Sequence, residues 1–93
     1  MHNDRLTLSH DALEDQGAIA LLDSPLLADL THLSLAGNLL TDVTAEAVAD
    51  CAETWNLDEL DLSGNDLSSA GYGLLASSPF LSDRARGRYL MRR

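Results

Sequence analysis

The sequence predicts an α/β fold: a right-handed solenoid with a short parallel sheet on its concave side and helices on its convex side. Three observations predict it. Leu33, Leu35, Asn38 and Leu40 return 27 residues later as Leu60, Leu62, Asn65 and Leu67, and one period earlier stand Leu6, Leu8, Asp11 and Leu13. Within each period, apolar residues first alternate with polar ones and then fall at helical spacing. A repeat of this length marks units that bury their apolar faces only by stacking on one another.

Each element follows from that frame. The first strand centres on Leu6 and Leu8, and the stripe Leu13, Gly17, Ala20, Leu21 and Ser24 makes the first helix, stopped by Pro25. Leu33-Ser34-Leu35 is a second strand with one wet face. The stripe Leu40, Thr44, Ala47, Val48 and Cys51 makes the second helix, with Thr41 as candidate N-cap. Leu60-Asp61-Leu62 is the third strand, followed by Leu67, Gly71, Leu74, Leu75 and Ser78, with Ser68 as N-cap and Pro79 at the stop. Strand, helix and strand in succession imply parallel pairing through right-handed crossovers. Phe80 matches Leu26 in the first copy and is expected in the core beneath Pro79. Trp55, whose equivalents are Ala28 and Ser82, is expected to pack under its loop rather than stand exposed as a binding anchor.

The recurrent Asn38 and Asn65 need a reason, because a polar side chain facing a core is costly unless paired. An amide offers two donors and an acceptor, enough to satisfy backbone freed where the chain bends away from a strand. The runs Leu30-x-x-Leu33-x-Leu35-x-x-Asn38-x-Leu40 and Leu57-x-x-Leu60-x-Leu62-x-x-Asn65-x-Leu67 resemble the leucine-rich repeat, and the period and helical second half resemble its ribonuclease-inhibitor-like class. The resemblance spans roughly residues 3 to 81. It departs from the pattern at Asn3 and Asp11, which marks the N-terminal unit as frayed or as an edge. It implies a structural ladder of Asp11, Asn38 and Asn65, with a weaker first rung because an ionised carboxylate cannot donate. The expected organisation is one domain over residues 1–93, with repeats at about 3–29, 30–56 and 57–81 and a basic cap at 82–93.

Composition bounds the class. A chain of 93 residues is near the lower limit for a self-sufficient core, so modest stability is expected. The longest apolar run, near Ala18 to Leu22, excludes a membrane-spanning helix on length. No basic and apolar secretory signal opens the sequence. Cys51, the single cysteine, fits a reducing compartment and is expected as a small core residue, so a cytoplasmic location is predicted.

Charge is segregated. All fifteen acidic residues and Arg5 lie in residues 1–83, for a net of −14, while residues 84–93 carry five arginines, giving −9 in total. An acidic body repels phosphates, which disfavours nucleic acid as a partner. The arginine-rich tail breaks the repeat. It reads as a partly helical cap in which Tyr89, Leu90 and Met91 cover the last unit, with a basic arm for an acidic partner or membrane surface as the alternative.

Alternation places Arg5, Thr7 and Ser9, then His32, Ser34 and Ala36, then Glu59, Asp61 and Ser63 on the exposed side of successive strands. With strands about 4.8 Å apart these residues form a compact polar grid. Curved repeat proteins hold partners on this surface, and the resemblance implies the same, so a non-catalytic protein-binding module is expected. His32, Ser34 and Asp61 suggest a hydrolase only superficially, since two residues on one strand stand too far apart for a nucleophile and its base. His2, His10 and His32 lack metal-ligand spacing, and no cofactor is implied. The alternative is a structural or assembly element that pairs through exposed solenoid ends, the open Arg5 to Leu8 edge among them, with another copy of itself or with the remaining repeats of a longer array.

Overall fold

Three-residue strands open each unit: β1 is Arg5–Thr7, β2 is His32–Ser34 and β3 is Glu59–Asp61. They pair in parallel in the order β1-β2-β3, with Leu6, Leu33 and Leu60 in one row. The pairing register therefore equals the sequence period, so every side chain lies beside its own equivalent. The structure is a computed structural model that describes residues 4–90.

Helices α1 (Glu14–Leu22), α2 (Asp42–Ala49) and α3 (Ser69–Ala76) follow the strands and pack side by side. Thr41 and Ser68 cap the second and third, their hydroxyls accepting from Val43 N–H at 3.2 Å and from Ala70 N–H at 3.2 Å. The first helix has no such hydroxyl, because Glu14 stands at the equivalent position. 3-10 turns at Pro25–Asp29 and Ala52–Asn56 return the chain to the next strand. Pro25 suits the start of its turn because its φ is preset and it has no N–H to satisfy, while Ser24 accepts from Leu26 N–H. A last helix, α4 (Asp83–Leu90), lies against α3 and β3.

The core is one cluster between sheet and helices, built on Leu27, Leu33, Leu35, Leu40, Leu57, Leu60, Leu62 and Leu75. The expected inward stripe is buried at Thr44, Val48, Gly71, Leu75 and Ser78, but it is shifted in α1, where Ala18 and Leu22 are the buried positions, and α2 adds Ala45 and Ala49, whereas Ala20 and Leu74 face solvent. Phe80 is also a correction, at 40 % exposed. The row that fills the core below each helix is Leu27, Thr54 and Leu81, one residue further on. The charged Glu53 at Phe80's equivalent position was the signal for an outward row.

Trp55, expected to pack, is 67 % exposed. Its 3-10 turn directs Thr54 inward, where the Thr54 hydroxyl donates to the Cys51 carbonyl at 2.8 Å, and leaves the next side chain in solvent.

Two sets of polar bonds tie the units together. The Asn65 side chain accepts from the N–H groups of Asn38 and Leu40 at 2.7 and 3.1 Å and donates to the carbonyls of Leu35, Leu62 and Ser63. Asn38 repeats this one unit earlier, accepting from Asp11 and Leu13 N–H and donating to the Leu8 and Ala36 carbonyls. Each asparagine thus holds the loop of the preceding unit. Asp11 is a correction: its exposed side chain forms no rung, and only its N–H takes part.

The second set was not anticipated. The Asp15 carboxylate accepts from Thr41 N–H at 2.9 Å and from the hydroxyls of Thr41 and Thr44 at 2.6 Å, and Asp42 accepts from Ser68 N–H at 2.8 Å and from its hydroxyl. The signal was a period-spaced aspartate pair with a hydroxyl residue 26 positions after each. Burial opposes ionisation of Asp15, but the bonds from Thr41 and Thr44 outweigh it and hold its carboxyl below the usual range. Hydrogen bonds from the Ser68 hydroxyl and N–H lower Asp42 likewise.

A carboxyl whose pKa is depressed by folding stabilises the protein above its unfolded pKa, and that contribution disappears as pH falls through the folded value. Thermal stability should therefore decline as pH drops below about 4. Asp15→Asn should flatten that decline in melts recorded across pH.

Backbone conformation distinguishes the first unit. His10, Gly37 and Gly64 occupy equivalent turn positions with φ of 60°, 69° and 69°. Glycine adopts this region freely, whereas a side chain there costs about 1–2 kcal/mol. The first loop places three non-glycine residues there, His10, Ala12 and Glu14, so the N-terminal unit carries the most backbone strain. The His10 ring also lies directly over Gly37, where any Cβ would collide with it.

Candidate functional site

The outward side of the sheet carries the polar grid. Register sets Arg5, His32 and Glu59 in one row and Thr7, Ser34 and Asp61 in the next. Ser9, Ala36 and Ser63 form a third row, but they lie in the turns just past the three-residue strands rather than within them. Backbone bonds still hold that row in step, from His10 N–H to the Ala36 carbonyl at 3.0 Å and from Gly37 N–H to the Ser63 carbonyl at 3.0 Å.

Burial follows alternation. Leu33 and Leu60 are sealed in the core while His32 and Ser34 are half-exposed and Glu59 is exposed. Side chains of the first two rows line a shallow pocket of about 120 Å³, with Arg5 at one end and Glu59 and Asp61 at the other. The surface is thus a small dipolar patch, basic at β1 and acidic at β3.

Several side chains are held in place. His32 Nδ1 lies 2.9 Å from the hydroxyl of Thr31, the residue just before β2, which ties the ring to its own backbone segment. Asp61 accepts from Ser63 N–H at 2.9 Å, which fixes its carboxylate at the strand end. Thr31 in turn ties β2 to β1, its N–H reaching the Asp4 carbonyl at 2.9 Å.

At the far end, α4 packs against the outer edge of β3. The Tyr89 hydroxyl donates to the Leu60 carbonyl at 2.7 Å, and the Ser82 hydroxyl donates to the Leu57 carbonyl. The Tyr89 ring stacks on Tyr72 at 6.0 Å between centroids. Arg86 donates to the Ser78 carbonyl at 2.8 Å and pairs with Asp83, and Arg84 stands 3.9 Å from Asp58. The Leu90 side chain, Met91, Asn3 and His2, all named in the sequence reading, lie outside the described residues.

A three-stranded parallel sheet alternating with helices, tied by periodic asparagine rungs, is consistent with a short leucine-rich-repeat segment. The family model for the Leucine Rich Repeat matches residues 56–78, which spans β3, the Asn65 rung and α3. No curated protein and no solved structure matches the chain. Leucine-rich repeats generally mediate protein binding. Among the described residues no helix is long and apolar enough to cross a membrane.

Proposed function

We propose that this chain is a non-catalytic, cytoplasmic protein-binding module that holds its partner on the exposed sheet face, with α4 serving as the terminal cap of a ribonuclease-inhibitor-like solenoid. The observation that carries the reading is the unbroken register of the Arg5, His32, Glu59 and Thr7, Ser34, Asp61 rows, which assembles six polar side chains on one solvent-facing surface. Backbone pairing and the asparagine rungs hold that surface rigid, so a partner meets it with little ordering cost. The gradient from Arg5 to Glu59 and Asp61 favours a partner of opposite polarity and orients it along the rows.

Reversing charge at Arg5, Glu59 and Asp61 together should release captured partners in a pull-down while leaving the thermal transition within a few degrees. These positions are on the wet face, where substitutions are usually worth about 0.5 kcal/mol or less. Full retention of every captured partner by the folded variant would rule out the sheet face.

A second reading, self-association, is favoured by one observation. β1 is an edge strand, and its Leu6 and the adjoining Leu8 are only partly covered, in contrast to Leu33 and Leu60. Mass in solution separates the two readings, since this one predicts a dimer that proline at Thr7 disrupts.

A further inference from the structure

A groove separate from the sheet face lies between the C-terminal ends of α1 and α2. It encloses about 490 Å³. Buried or half-buried Leu22, Ile19 and Ala47 line it together with exposed Pro25 and the exposed acids Asp23, Asp50 and Glu53. Asp23 and Asp50 are the C-cap residues of α1 and α2, and neither helix has a basic residue in its last turn. The carboxylates therefore sit at the negative ends of two helix dipoles, where a cation is the stabilising partner and an anion is not.

Among the described residues no arginine lines the groove. Arg84 and Arg86 are engaged with Asp58 and Asp83 at the other end of the molecule. The 3-10 turns that border the groove extend its apolar character, carrying Leu26 and Trp55 at 61 % and 67 % exposed.

We infer that this groove binds a basic, apolar segment of a partner protein, with an arginine or lysine head between Asp23, Asp50 and Glu53 and its aliphatic stem and neighbouring apolar side chains on Ile19, Leu22 and Ala47. The pairing answers both features at once. A long basic side chain buries its methylenes on Ile19 and Leu22 while its charge meets the acids, and it relieves the repulsion between those acids and the helix ends. An acidic or purely polar segment satisfies neither.

Cys51 provides a built-in reporter, as the chain's single cysteine and a half-buried member of the groove wall. The probe is a fluorescein-labelled peptide of repeated Arg-Ala-Leu, with repeated Glu-Ala-Leu as control. The basic peptide should bind the intact chain and slow alkylation of Cys51 several-fold. The triple variant Asp23→Asn, Asp50→Asn, Glu53→Gln should weaken binding about tenfold or more and abolish that protection. The charge-matched variant Asp11→Asn, Glu46→Gln, Asp66→Asn should bind within about threefold of the intact chain, because these exposed acids lie outside the groove. Equal weakening by the two triples would reduce the effect to the charge of the whole body and overturn the assignment, as would binding without protection of Cys51. Loss of the peptide on charge reversal at Arg5, Glu59 and Asp61 alone would move it to the sheet face, overturning the groove while leaving the sheet-face reading intact.

Discussion

Asn38→Ala is expected to destabilise the fold by about 2–4 kcal/mol, enough to leave a substantial unfolded fraction in a domain of this size. Asn38 is completely buried, and its amide serves four backbone groups: the N–H of Asp11 and of Leu13 and the carbonyls of Leu8 and Ala36. Alanine removes all four partners and leaves a gap that cannot satisfy them. Each buried group so orphaned costs about 1–3 kcal/mol, less where the loop relaxes to admit water. Relaxation is open to the first loop, which is already strained at His10, Ala12 and Glu14.

The same change at Asn65 touches two well-formed units rather than a strained edge, and should cost at least as much. Asn38→Asp separates the contributions, since it preserves the acceptor for Asp11 and Leu13 but loses the donors to Leu8 and Ala36. Chemical denaturation of the three variants, with amide exchange at Asp11 and Leu13 as the local probe, measures the ranking. A melting temperature for Asn38→Ala within about 3 °C of the parent would show that the rung is decorative, because 1 kcal/mol moves a domain of this length by about 4–8 °C.

Tyr89→Ala should lower stability by about 3–5 kcal/mol, the range for removing a large buried aromatic side chain. The residue is 5 % exposed, belongs to the core cluster, and stacks on Tyr72. Its hydroxyl also donates to the Leu60 carbonyl at the outer edge of β3, which among the described residues pairs with no fourth strand. Tyr89→Phe should cost only about 1–2 kcal/mol, since packing is retained and one carbonyl loses its partner. Removing residues 84–93 deletes Ala85 and Tyr89 together and should collapse the cooperative transition, read by calorimetry. An unchanged transition after that deletion would make α4 an appendage rather than a cap.

How much of this was legible in the sequence follows from what a repeat can encode. Leu33, Leu35, Leu60 and Leu62 were readable as core because alternation along a strand has only two outcomes, in or out. The stacking of Arg5 on His32 on Glu59 was readable too, because the period and the pairing register are the same number. The helices were less transparent. Ala18 and Leu22 displaced Ala20 from the inward face because a helix can rotate by a fraction of a turn without changing its period, and packing against the next helix selects the angle. Phe80 and Trp55 were misplaced for a related reason. The turns after the helices have their own geometry, 3-10 at Pro25–Asp29 and Ala52–Asn56 and a bend at residues 79–81, and Leu27, Thr54 and Leu81 point inward whatever the size of their neighbours.

The chain by itself determined the number of units, their parallel order and the polarity of each strand face, since these depend on the local alternation and spacing of side chains. Only the tertiary structure decided which loop each asparagine holds, that Asp15 and Asp42 reach hydroxyls one unit away, and that the ends of α1 and α2 enclose an acid-lined groove. Those relations join residues about one full period or more apart, and their energies depend on distances and angles that exist only once neighbouring coils have docked.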